Sequence, residues 1–258
     1  MIVGGLSVTL FGHASWSRFS VTLFCHAFPS CINDINDMEF ETVVRRRFSA
    51  RKFRPDPVPE DTLHRILELA QSTPSWCNCQ PWQLAITRGP ATDRFRAAMY
   101  AHARSGARPN PDFAFPEAYE GIYRERRKVC GVQLYQALGI GKEDRGAAAA
   151  QTLENFRLFD APHVAIVTTE KKLGVYGAID CGLYVANFLL AACNFGVDAI
   201  AQAALASHPD FVREYFGLAP ERLVVCGISF GYADAQHSIH SYRTQRAPVS
   251  DAVRFVDT

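Results

Sequence analysis

Arg45-Arg46-Arg47-Phe48-Ser49-Ala50-Arg51-Lys52-Phe53 opens the stretch on which the reading of this chain turns, and Thr73-Pro74-Ser75-Trp76-Cys77-Asn78-Cys79-Gln80-Pro81-Trp82 closes it. In extended chain, residues two apart share a face. Arg47, Ser49 and Arg51 therefore line up two forked guanidiniums and a hydroxyl, donors matched to phosphate oxygens. A solvated basic turn is the plain alternative, and one short cluster in a near-neutral chain is thin support for a nucleic-acid patch. In the closing passage, two prolines hold the backbone out of regular pairing. Asn78 and Gln80 each offer an amide donor and acceptor suited to the edge of a flat heteroaromatic ring. Its alternative is a stiffened turn whose amides serve the backbone. Taken together, the two passages point to a flavin nucleotide site.

Working outward, Glu39 to Arg46 reads as a short helix, and Pro55, Pro57 and Pro59 force extended chain. Glu60 and Asp61 favour the next helix start, and Leu63, Ile66, Leu67 and Ala70 give its apolar face at i, i+3, i+4, i+7. Pro74 ends it. Strands are predicted over 82–87, 164–169, 197–200 and 223–232. Helices are predicted over 91–104, 118–138, 145–158, 178–195 and 207–216, the last with Ser207 and Asp210 in capping-box spacing. There is no regular βαβ rhythm and no Gly-x-Gly-x-x-Gly after a strand, so an α+β layered fold is expected rather than a dinucleotide-binding doubly wound sheet.

The chain has 258 residues, 48% of them apolar, and a formal net charge of +1. That is ordinary globular composition, not the strong basicity of a dedicated nucleic-acid binder. Its eight cysteines show no CxxC or Cys/His ligand spacing. Cys181, Cys193 and Cys226 lie in apolar patterns, and reduced thiols in a cytoplasmic protein are expected. Residues 1–37 lack periodicity and a basic n-region, and Met38 precedes a credible helix start, so they read as an extension without function or an upstream mis-start. The run from Leu183 to Cys193 is too short to span a bilayer and contains Asn187, so no membrane partner is expected.

Further candidates lie downstream. Arg157, before Pro162, is a cation able to stabilise charge on a reduced flavin, or an ordinary exposed arginine. Ala199 to Ala204 supplies small residues that let a ligand approach the backbone, or pack tightly on a helix. Arg243 and Arg246 offer phosphate donors near the C-terminus, or a solvated tail. His163 reads as buried or at a strand edge, and His64 as helix surface. No Ser-His-Asp order, HExxH, Walker loop or nucleophile elbow is present.

Residues 38–258 resemble the FMN-dependent nitroreductase family. Arg47-Phe48-Ser49-Ala50-Arg51-Lys52-Phe53 looks like its Arg-x-Ser-x-Arg/Lys-x-Phe segment, and Pro74-Ser75-x-x-Asn78-x-Gln80-Pro81-Trp82 like its second signature. Gly227-Ile228-Ser229-Phe230-Gly231-Tyr232 with Arg243 and Arg246 resembles its last strand and tail. Residues of about 100–150 resemble the longer substrate cap of the nitrobenzoate-reductase-like branch. The resemblance implies a mostly antiparallel sheet flanked by helices in an intertwined homodimer with FMN at the interface. It places Arg47, Phe48, Ser49, Arg51 and Arg246 at the phosphate, with Arg243 nearby. Pro74, Ser75, Trp76 and Asn78, with Gln80 in the same loop, reach the partner's flavin. Arg157 is placed near N1 and C2, and the backbone of Gln202, Ala203 and Ala204 near N5. Gln202 and Ala203 depart from the Ile-Glu pair of some members, and Phe48 replaces a commoner polar residue. The implied activity is ping-pong hydride transfer from NAD(P)H to a small nitroaromatic or quinone. Trp76, Phe113, Phe115, Tyr119 and Tyr123 would form the substrate wall, with Arg124, Arg126 or Arg127 available to a substrate carboxylate. Reductive dehalogenation on the same fold, a flavin-binding protein without turnover, and a basic interaction module are the competing readings.

Overall fold

The computed structural model describes residues 38–257; the extension over 1–37, with Cys25 and Cys31, lies outside the described residues. Helix α1 (Phe40–Arg46) leads through extended chain to α2 (Glu60–Gln71), β1 (Gln83–Thr87) and α3 (Pro90–Arg104). Then come α4 (Gly121–Ala137), α5 (Arg145–Leu153), β2 (His163–Glu170) and α6 (Gly174–Asn194). The chain closes with β3 (Asp198–Gln202), α7 (Pro209–Phe216) and β4 (Arg222–Gly231). The strands form one sheet in the order β1-β2-β4-β3, and every neighbouring pair is antiparallel. The architecture is α+β, as expected.

Both faces of the sheet are covered. On β2, Ala165 and Val167 face a core shared with α2 and α6, built from Leu63, Ile66, Phe188 and Phe230. Val164 and Ile166 face the other way, onto Phe95 and Met99 of α3 and Val212 of α7. This is strand alternation with an apolar layer on each side. A third, smaller cluster of Ala50, Phe53, Phe159, Ala161 and Ile200 lies beside β3.

α6 corrects one expectation: with the turn before it, it is long and apolar enough to cross a membrane by length and composition. Its apolar run understated the helix, which spans 21 residues, about six turns, and continues past the polar Asp180 and Asn187. Here it is the core helix, with Cys181, Tyr184, Phe188 and Ala192 buried against the sheet and α2. Of its polar members, Asn187 donates to Thr73 Oγ1 at 2.8 Å and Asp180 accepts the Trp76 N–H. A second correction concerns α7, which begins at Pro209. Ser207 donates to the Ala204 carbonyl and Asp210 pairs with Arg213, so there is no capping box. A third is α5, which stops at Leu153. Leu158, Phe159 and Asp160 then take left-handed backbone (φ 59°, 53°, 63°), which no helix continues.

Candidate active site

After α1 the chain runs extended along the open edge of β3. Ser49 bridges Ala199 and Phe53 bridges Ala233, while Ala50 and Phe53 turn into the small core. With Phe48 also packed on that core, alternation through Phe48 and Ala50 leaves Arg47, Ser49 and Arg51 on the other side, and the pattern breaks at Phe53. The tail folds back onto this segment. His240 Nε2 accepts the Arg51 backbone N–H at 3.0 Å, and its Nδ1 is 2.9 Å from the Asp234 carbonyl, which fixes the proton on Nδ1. Burial, with His237 and Arg243 adding to it, pushes the His240 pKa below its ordinary value. The Phe48 ring meets His240 edge-on at 5.4 Å, and the Arg243 guanidinium sits 4.0 Å above Phe48. Phe48 thus supports the site by packing, not by a polar contact.

Arg243 donates to the carbonyls of His240 and Tyr242, and Arg246 only to its neighbours Thr244 and Gln245. Arg47, Arg51, Arg243 and Arg246 form no ion pair within the described residues, as holds for several other surface arginines. The Tyr242 hydroxyl is buried without a partner. Cations without carboxylates and a spare hydroxyl beside Arg51 are a donor set that fits a phosphate.

Arg51 and Arg157 share a cavity of about 390 Å³ with Lys52, Glu154, Asp160 and His237. Arg157 is not the unpaired cation the sequence suggests: it pairs with Asp160 at 3.2 Å and Glu154 at 3.7 Å. Those carboxylates raise its pKa, Glu154 first. Burial pushes the Glu154 carboxyl up. Burial also acts on Asp160, but hydrogen bonds and charges from Lys52 and Arg157 outweigh it and hold that carboxyl below its usual range. The open positive charge on this cavity is therefore mainly that of Arg51. A larger hollow, about 550 Å³, lies away from these donors, between α1, α2 and the C-terminal half of α6.

The Pro74–Pro81 loop is held from below by α6. Asp180, a buried carboxylate, accepts the Trp76 backbone N–H at 3.2–3.3 Å. Ser75 Oγ accepts the Gln80 N–H at 2.9 Å, and Cys77, Asn78 and Gln80 all have positive φ. Gln80 ties Asn78 to Gln71, so it braces the loop, while the amide nitrogen of exposed Asn78 stays free. Exposed Trp76 stands edge-on to Tyr176. This loop and the arginine segment sit near opposite ends of α6: Trp76 at Asp180, Val43 of α1 at Cys193. That is about 20 Å of helix.

Gln202 is buried, its amide donating to the Asn155 carbonyl at 2.9 Å and accepting from Ser229 Oγ at 2.5 Å. Its side chain is therefore committed to the fold, and only backbone remains for a ligand here. Ala203 and Ala204 follow in a short 3-10 turn, exposed and half-buried. In the cap, Phe113 is half-buried and Phe115, Tyr119 and Tyr123 are exposed. Arg126 pairs with Asp251 of the tail, and Arg127 lies over Tyr119 at 5.2 Å, leaving Arg124 the freest of the three. His240, Asp180, Lys52 and Asp160 escaped the sequence reading, since each acts through a partner far away along the chain.

An α+β sheet whose edge carries a donor set fitting a phosphate, with a loop of amides and an aromatic near the other end of α6, is the arrangement of a flavin-oxidoreductase class of protein. The chain belongs to the nitroreductase family, whose model matches residues 44–232. It is 36% identical over 217 residues to nitroreductase NfnB of Mycolicibacterium smegmatis, covering 83% of this chain and 92% of that protein. It is 34% identical over 221 residues to a 4-nitrobenzoate reductase of Nocardioides, covering 84% and 90%. The fold matches the crystal structure of FMN-dependent NfnB from Mycobacterium smegmatis in complex with NADPH, with TM-score 0.80, 35% identity and coverage of 84% and 97%.

Proposed function

We propose that this chain is an FMN-dependent NAD(P)H oxidoreductase that reduces nitroaromatic or quinone-like compounds. The observation that carries the reading is the tail folded onto the Arg47–Arg51 segment, with His240 on the Arg51 N–H and Arg243 over Phe48, where neither Arg51 nor Arg243 has a carboxylate partner. An FMN-dependent nitroreductase solved in complex with NADPH, and an FMN- and NADPH-dependent one, support the cofactor pair. A relative named 4-nitrobenzoate reductase supports the substrate class.

In this reading FMN, when bound, supplies hydride exchange between the nicotinamide and the acceptor. The protein supplies position and charge. Arg47, Ser49, Arg51, Arg243 and Arg246 grip the phosphate, and the backbone at Ala203 and Ala204 meets the ring edge. Pro74, Ser75, Trp76 and Asn78 come from the partner in a homodimer, which the 20 Å between the two halves along α6 supports. Trp76 with Phe113, Phe115, Tyr119 and Tyr123 walls the substrate. Free thiols at all six described cysteines are in keeping with a cytoplasmic setting.

The purified protein is expected to be yellow and to oxidise NADPH or NADH when 4-nitrobenzoate is added under anaerobic conditions. Arg51→Ala with Arg246→Ala should release the flavin. Wild-type flavin occupancy in that double variant sinks the phosphate assignment, and flavin retention without nicotinamide oxidation sinks the enzymatic one.

A further inference from the structure

Three successive non-glycine residues, Leu158, Phe159 and Asp160, hold left-handed backbone. Side chains with a Cβ enter that region reluctantly and persist there only when the surroundings enforce it. Leu158 and Phe159 are buried, so packing supplies part of the enforcement. The rest comes from Arg96 on α3. Its Nε donates to the Arg157 carbonyl at 3.1 Å and its Nη2 to the Ala161 carbonyl at 2.6 Å. One planar fork thus spans both ends of the turn. Asp93 holds the remaining nitrogen at 2.5 Å, and the side chain is largely buried.

What this turn touches gives it a role beyond stability. The Phe159 carbonyl accepts the Phe53 N–H at 3.1 Å. Asp160 pairs with Lys52. Phe159 and Ala161 pack with Ala50 and Phe53. Residues 50, 52 and 53 interleave with and follow Ser49 and Arg51, so the turn is the surface on which the arginine segment is laid.

We propose that Arg96 is a positioning residue for flavin binding: it locks the Leu158–Asp160 turn, which shapes the phosphate-gripping segment 47–53. The inference rests on the assignment of that segment to the FMN phosphate. It concerns a side chain that touches no ligand itself, so its effect must appear in phosphate recognition specifically.

The test compares binding of FMN and of riboflavin, which lacks the phosphate, to the apoprotein. Arg96→Ala should weaken FMN by about tenfold or more and leave riboflavin within about twofold. Arg96→Lys, which keeps a single donor group, should fall between. Equal weakening of both ligands, or of neither, overturns the proposal in favour of a purely structural arginine. Should Arg96→Ala fail to fold, Arg96→Lys decides alone, with FMN weakened and riboflavin unchanged. Amide exchange in the apoprotein adds a ligand-free readout: the Phe53 N–H should exchange faster in Arg96→Lys than in wild type, and unchanged exchange counts against the lock. Arg51→Ala separates this failure from that of the parent reading. If Arg51→Ala weakens FMN and riboflavin equally, the phosphate assignment itself is wrong.

Discussion

At the scale of single residues, His240 shows how a distant side chain sets the geometry of a binding segment. Its Nε2 accepts the Arg51 N–H only while the ring is neutral. Burial holds its pKa below the ordinary value. The sign follows: the folded state favours the neutral ring, so this contribution is complete above the unfolded value of about 6.5. It is lost as pH falls from there through the folded value. His240→Ala should cost about 1 kcal/mol at pH 7.5, and the gap to wild type should narrow as pH drops from about 6.5 to 5. Thermal melts across that range check it; a gap that stays constant with pH means the ring does not act through its protonation state. The motifs made Arg47, Ser49 and Arg51 readable, because donor type and spacing are local properties. They could not reveal His240, which lies 189 positions from Arg51. Nor could they reveal that Arg157 comes with Glu154 and Asp160 already attached.

Among elements, the helix and strand cores were legible and their ends were not. Periodicity located α2, α3, β2 and β4 to within a few residues, since each has an apolar face facing a layer. It failed at 154–160, where Arg96 and a buried pair of side chains override local preference, and at Ser207, whose hydroxyl finds Ala204 first. The turn over Ala203–Ser207 lies flat on β4 because Gly227 has no side chain: a Cβ there would sit 2.3 Å from Leu205 Cδ1 and 3.2 Å from its Cβ. Leu205 is fully buried and has little room to retreat. Gly227→Ala should therefore destabilise by about 1–3 kcal/mol through overpacking. It should also weaken flavin binding, because Ala203 and Ala204 ride on the same turn. Urea melts and flavin titration measure the two effects. An alanine variant as stable as wild type would mean that Leu205 can swing aside.

At the scale of the whole molecule, α6 presents an exposed apolar face. Val175, Tyr176, Ile179 and Leu183 form a stripe on the outer side of α6, exposed by 63, 51, 51 and 45%. Their i, i+4, i+8 spacing puts 175, 179 and 183 on one face. Phe40 and Val44 of α1 and Leu69 of α2 are exposed too. Apolar groups on this scale ordinarily mark a contact surface. The same helix separates the arginine segment from the Trp76–Asn78 loop, so a second copy packed across α6 could bring one chain's loop to the other's segment. Ile179→Glu with Leu183→Glu places charges in that contact without touching either half of the site. Sedimentation should show a shift from dimer to monomer, and bound FMN should fall together with the dimer fraction as protein is diluted. A monomer that keeps FMN at wild-type occupancy would mean that one chain completes its own site, and the loop over Trp76–Asn78 would then need another role.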